Sequence, residues 1–170
     1  MRDMQPDVMD ILLGNELCVL CTCKNDMPDA SLMLYICDEQ CAKLHMLTLE
    51  DTAKYRNIAG NRHVSVLIDT RDAIHDKTSQ TEALTVHGDA SIVADPDTAK
   101  KLIAQLIKRH DKLANLANNK SVRVIEVLIR NILYLENVDK VRDISLPDRQ
   151  ISGPGKPGLG AEKSIRDRRT

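Results

Sequence analysis

Residues 43–69 read KLHMLTLEDTAKYRNIAGNRHVSVLID, and this stretch decides the fold. Leu44, Met46 and Thr48 alternate with Lys43, His45 and Leu47, the period-two pattern of a strand. Glu50, Asp51 and Thr52 then place acidic and hydroxyl groups where a helix starts, and Gly60 offers a stop about two turns later. Val64, Val66, Leu67 and Ile68 form a second apolar run. The spacing predicts a short helix wedged between two strands, with Thr48, Thr52 and Lys54 gathered at the helix N-terminus. Backbone amides, a hydroxyl and an ammonium at that point suit a phosphate group. A plain solvated helix start offers the same amide donors, so the pattern by itself leaves both readings open.

Working outward, residues 6–13 read as a short amphipathic helix with Val8, Ile11 and Leu12 on one side and Gly14 as its stop. Residues 17–23 (LCVLCTC) read as a strand. The turn formers of 24–28 join it to a second strand over 29–38. Residues 70–80 are polar and predict a loop, and 81–94 predict a long strand with a bulge at Gly88. Asp95 and Pro96 are a good cap and first residue for the next helix, whose apolar stripe is Leu102, Ile103, Leu106 and Ile107. Its basic face of Lys100, Lys101, Lys108 and Arg109 reads as solvated, and residues 112–119 extend it by a turn or two. Residues 122–138 return to strand, with Asn131 expected to bend the run into a hairpin or a sharp corner.

The remaining 147–170 differ in kind: residues 146–170 hold four of the seven glycines and three of the six prolines, and end on basic residues. That composition predicts a flexible tail or one packed on a partner subunit, which leaves a domain over 1–146.

Net charge is −1, with 24 basic and 25 acidic residues, so no overall field points to nucleic acid or to a membrane surface. No apolar run approaches the roughly 20 residues that a spanning helix needs. The start, MRDMQPDVMD, is too polar and acidic for a secretory signal, and a cytoplasmic protein is expected. Phe and Trp are absent and Tyr occurs three times, so the expected core is Leu, Ile, Val, Met, Ala and Cys. Aromatic platforms for single-stranded nucleic acid are missing as well.

Cys18, Cys21, Cys23, Cys37 and Cys41 all fall within 24 positions and invite a metal reading. On an extended strand, however, Cys18 faces away from Cys21 and Cys23, and no Gly or Pro forms a knuckle between them. Packing as small hydrophobes is expected, with no metal bound.

Three phrases within the opening stretch carry a resemblance. They are Leu47-Thr48, then the run from Asp51 to Asn57 (DTAKYRN), then the run from Asn61 to Ile68 (NRHVSVLI). Together they resemble the pyridoxamine-phosphate-oxidase-like family of FMN-binding split barrels, and the order of elements follows that family from Pro6 to Leu146. The phrase Val86-His87-Gly88-Asp89-Ala90 is similar to a strand of those barrels. The resemblance implies a mainly β fold: a six-stranded antiparallel split barrel with peripheral helices. It implies FMN as cofactor, an oxidoreductase or electron carrier as function, and a homodimer with the cofactor site at the subunit interface.

Carried over by position, the cofactor-binding residues are Ser31, Leu32, Met33 and Leu34 on the second strand, Leu47 and Thr48 ending the third, and Thr52 and Lys54 at the phosphate. With no Phe or Trp, a flavin packs on aliphatic side chains, Tyr or the partner. The chain departs from the family where Ser31 and Ala53 replace arginines and Ala83 falls near a usual glutamine. Lys54 is then the clear cation, with Arg56, Arg62 or the partner as helpers. Two alternatives remain open: a haem-binding split barrel using His45, His63 or His87, and a cofactor-free interaction or sensing protein. No catalytic residue and no substrate can be named from the sequence.

Overall fold

The structure is a computed structural model that describes residues 5–70, 82–136 and 140–145. The polar loop at 70–80, apart from Thr70, and the tail at 147–170 lie outside the described residues.

Helix α1 (Pro6–Gly14) starts with Pro6 at its first position and buries Val8, Ile11 and Leu12. Strands β1 (Leu17–Lys24) and β2 (Met27–Cys37) form a hairpin in which Lys24 pairs with Met27. Only Asn25 and Asp26 are left for the turn, at φ 51° and 60°. Those left-handed values at both central residues match the twist of the strands, and Asn and Asp tolerate them well.

Strand β3 (Lys43–Leu49), helix α2 (Ala53–Gly60) and β4 (His63–Asp69) realise the strand–helix–strand pattern of the opening stretch. Strand β5 (Glu82–Ile92), helix α3 (Pro96–Arg109), a 3₁₀ turn (Asp111–Leu113) and short helix α4 (Ala114–Ala117) follow. Strands β6 (Val122–Glu136) and β7 (Lys140–Ser145) end the described chain.

The strands run antiparallel in the order β3-β2-β1-β4-β5-β6, and β3 pairs again with β6, closing a six-stranded barrel. β7 is one extra strand on the far half of β6. The expected split barrel with peripheral helices is therefore the fold.

Asn131 does not turn the chain into a hairpin. β6 stays extended through 15 residues because Val, Ile and Leu on both sides of Asn131 each find a buried or half-buried place. The corner is made by a bulge. His87 pairs with Asn131 and Gly88 with Ile129, leaving Arg130 as an extra residue. Across it the inward positions shift from Ile125, Val127 and Ile129 to Ile132 and Tyr134, and the strand changes partner from β3 to β7. Gly88 is required there: a Cβ would lie 2.6 Å from the Leu128 carbonyl oxygen and 2.8 Å from a Val127 methyl.

The barrel interior holds Leu20, Leu44, Met46, Val66, Ile68, Leu84 and Val86, with α1 packed against it through Val8, Ile11 and Leu12. Two of the three tyrosines, Tyr35 and Tyr134, are its largest fully buried side chains, so the core is not purely aliphatic as expected. The Tyr35 hydroxyl donates to the Leu12 carbonyl at 2.8 Å, which explains how a polar tip is tolerated and fixes α1 in place. Helix α3 covers the outer face of β3 and β6 in a second cluster around Leu47, Leu106 and Val124. Strand β3 is therefore buried on both faces from Leu44 to Thr48.

Cys18 and Cys41 belong to the core, and Cys37 packs against it. Cys21 and Cys23 instead stand half-exposed on the outward side of β1, so core packing accounts for only some of the five. Burial pushes the Cys18 thiol up to about 12, which makes it chemically inert.

Candidate functional site

A cavity of about 410 Å³ opens where the ends of β2 and β3 meet the start of α2. That size falls within the roughly 300–1,000 Å³ of small-molecule sites. β2 lines it with Leu32, Met33 and Leu34, and β3 with Leu47 and Thr48. Thr52 and Lys54 line the α2 end. Seven of the eight residues expected from the sequence thus share one cavity. Ser31 is outside the lining; it pairs with Leu20 on the next strand and is half-buried. Ala83 lies elsewhere, opposite Asp69 and Leu135.

Four lining residues escaped the sequence reading: Leu17, Leu49, Leu113 and Leu116. Leu113 and Leu116 are spaced as neighbours on a helical turn, a weak signal that only the fold aims at this cavity.

The walls are almost wholly aliphatic, and the polar groups collect at one end. Thr52 caps α2, accepting from the Tyr55 amide at 3.4 Å and donating to the Leu49 carbonyl at 2.8 Å. Its hydroxyl also stands 2.8 Å from that of Thr48. Both threonine hydroxyls are thereby held in a local network that shapes the helix start. The amides of Ala53 and Lys54 have no acceptor among the described residues, as expected for the first turn of a helix. Lys54 has no ion-pair partner among them either.

Neither helper arginine lines the cavity. Arg56 donates to the Asp51 carbonyl at 2.6 Å, and Arg62 faces Asp89 at 3.4 Å. Among the described lining residues, the polar end offers the Lys54 ammonium beside the amides of Ala53 and Lys54, above an aliphatic trough. That donor set suits an anionic group on a flat apolar body.

The histidines considered as ligands lie outside this cavity. His63 pairs with Asp89 at 3.1 Å, and His87 meets the Ser65 hydroxyl at 2.9 Å on the exposed outer face. His45 is buried and pairs with Glu126 at 3.1 Å. Among the described residues, no group of three or more His, Cys, Asp and Glu is arranged to hold a metal ion. No described helix is long and apolar enough to cross a membrane.

Residues 4–136 match the sequence model of the pyridoxamine 5'-phosphate oxidase family. No curated protein matches the chain. Among solved structures, the General Stress Protein 26 from Bacillus anthracis is 24% identical, with a TM-score of 0.61 over 82% of this chain and 95% of that one. HutZ, the heme storage protein from Vibrio cholerae, is 17% identical, with a TM-score of 0.63 over 76% of this chain and 92% of that one. A FAD-binding protein from Mesorhizobium loti is 17% identical, with a TM-score of 0.61 over 74% and 87%. At such identities the likeness is one of fold.

Proposed function

Because the chain belongs to the pyridoxamine 5'-phosphate oxidase family, we propose that it is an FMN-binding oxidoreductase or electron carrier whose cofactor lies in the cavity between β2, β3 and α2. One observation carries the reading: aliphatic walls end at a Lys54 ammonium and two helix amides that have no partner among the described residues. The phosphate would meet Lys54 and the α2 amides, with the Thr48–Thr52 pair holding that helix start in position. The ring system would lie along Leu32, Met33 and Leu34 and against Leu47. Bound there, FMN would supply the redox chemistry, and the chain would bind, orient and shield it.

Flavin is preferred to haem because none of His45, His63 and His87 lines this cavity. The residues replaced by Ser31, Ala53 and Ala83 leave a phosphate of charge near −2 with a single lysine. That poverty argues against pyridoxamine phosphate oxidase chemistry itself, whose substrate brings a second phosphate.

A second copy completes the reading. Leu32, Val19, Leu67, Thr85 and Leu133 lie side by side across five strands on the outward face. Leu32 is 70% exposed and Leu17 39%, at the rim where this stripe meets the cavity. Such a face wants cover, and a two-fold partner would supply it and close the cofactor site.

The test is the spectrum of the purified full chain, with mass analysis of the ligand released on denaturation. A flavin spectrum and the mass of FMN are expected. A haem Soret band, or a colourless protein that takes up no FMN on titration, overturns the reading; the second outcome favours a cofactor-free role.

A further inference from the structure

A second cavity, of about 510 Å³, opens where the β2–β3 connection leaves helix α3. It shares no lining residue with the first. One side of it is made by His45, whose side chain is only 7% exposed. Strand register sets His45 between Ile36 and Glu126. Its Nε2 meets Glu126 at 3.1 Å, while the other Glu126 oxygen is 3.0 Å from the Lys43 ammonium.

With Nε2 against the Glu126 carboxylate, the neutral form of His45 gives its Nε2–H to that carboxylate and presents its lone pair at Nδ1. Nδ1 has no partner among the described residues, in a side chain that lines the cavity. A buried imidazole with one ring nitrogen unpartnered among the described residues, at a cavity wall, is suited to recognising a donor.

The remaining walls are rich in acceptors and negative in sum. Asp38, whose Oδ1 accepts from the Ala42 and Lys43 amides at 2.6 and 2.8 Å and leaves Oδ2 to the cavity side, and Glu39 bring two carboxylates and Gln105 an amide, against one cation, Arg109. That guanidinium is turned toward α1, donating to the carbonyls of Leu13 and Asn15. Ile36 and Leu102 supply aliphatic surface. Burial pushes the Cys37 thiol well above its ordinary range, so it adds no charge.

We propose that this cavity binds a short aliphatic primary amine in its ammonium form, the ammonium donating to His45 Nδ1 and facing the Asp38 and Glu39 carboxylates. An anion would meet two carboxylates and a committed arginine. A neutral alcohol would offer one donor where an ammonium offers three.

The probe is n-butylammonium, titrated into the ¹⁵N-labelled full chain and followed by NMR. Saturable shifts at His45 and Gln105 are expected, with a Kd on the order of 1 mM for so small a ligand. 1-Butanol should bind about tenfold more weakly, since its hydrogen bond is not charge-assisted, and butyrate should not saturate. His45→Leu should abolish saturation. Should that variant lose its fold, Gln105→Leu on the exposed helix wall takes its place and should weaken binding several-fold. Absence of saturation with n-butylammonium, equal affinity for butanol, or unchanged affinity in a folded variant overturns the proposal. None of these outcomes depends on whether the first cavity holds FMN.

Discussion

At the scale of single residues, the two cavities differ in what their key side chain lacks. Among the described residues, Lys54 has no counter-charge and His45 no partner on one nitrogen. On the FMN reading, Lys54 is the cation among the described residues that line the cavity, so its removal should be costly. Lys54→Ala should weaken FMN about 10- to 100-fold, the loss of one charge-assisted contact, while riboflavin affinity hardly changes. Lys54→Arg should be intermediate, because a planar fork replaces a compact charge. Equal FMN affinity in the alanine variant, read by fluorescence titration, would refute the phosphate assignment.

Glu126 makes a different prediction. Its hydrogen bond from His45, and then its contacts with Lys43, hold the carboxyl at about 2 instead of 4.5. The folded chain therefore binds this proton less readily than the unfolded one. The resulting stability is present above about pH 4.5 and is lost as pH falls toward 2. Glu126→Gln should cost about 1–2 kcal/mol at neutral pH and flatten the acid limb of stability in urea titrations. An unchanged acid limb would show that the pair contributes nothing.

Among the elements, β6 has the largest consequences. It borders β3, β5 and β7, and the bulge at Arg130 lets one strand serve two curvatures of the sheet. The partner of that bulge is Gly88, pressed against the Leu128 carbonyl. Gly88→Ala should destabilise the chain by about 1–3 kcal/mol, the usual cost of forcing atoms into a packed site. Because the close neighbour is backbone and cannot swing aside, chemical denaturation should register the loss even though the barrel still forms. A neutral outcome would mean that the β5–β6 corner relaxes freely.

For the whole molecule, the closed barrel removes sheet edges between β3 and β6 but leaves an apolar outer stripe from Leu32 to Leu133. A dimer formed through it should show twice the 19.0 kDa chain mass in light scattering. Leu32→Glu combined with Val19→Glu should return the mass to 19.0 kDa with the circular dichroism unchanged. Loss of FMN uptake in Val19→Glu alone, a position outside the cavity lining, would follow if the second copy closes the cavity. A parent protein already monomeric at micromolar concentration would remove both expectations.

Local chemistry made much of this legible before any coordinates. Alternation marked the strands, Asp95 with Pro96 marked α3, and Thr52 with Gly60 bracketed α2, because caps and periodicity act over a few residues. The family resemblance then pointed to Thr48, Thr52 and Lys54, which lie close together along the chain. Pairing between distant segments was another matter. That Asn131 marks a bulge and not a turn depends on Gly88, over 40 positions away, since only a neighbouring strand makes an extra residue an advantage. Tyr35 became a core residue because the Leu12 carbonyl is there to take its hydroxyl. Leu113 and Leu116 reach the first cavity, and His45 meets Glu126, only through the register and packing of the closed barrel. Sequence determined which groups this protein owns and the local form of its backbone; the tertiary structure decided which of them meet, because burial and hydrogen bonding across strands are settled by the whole sheet at once.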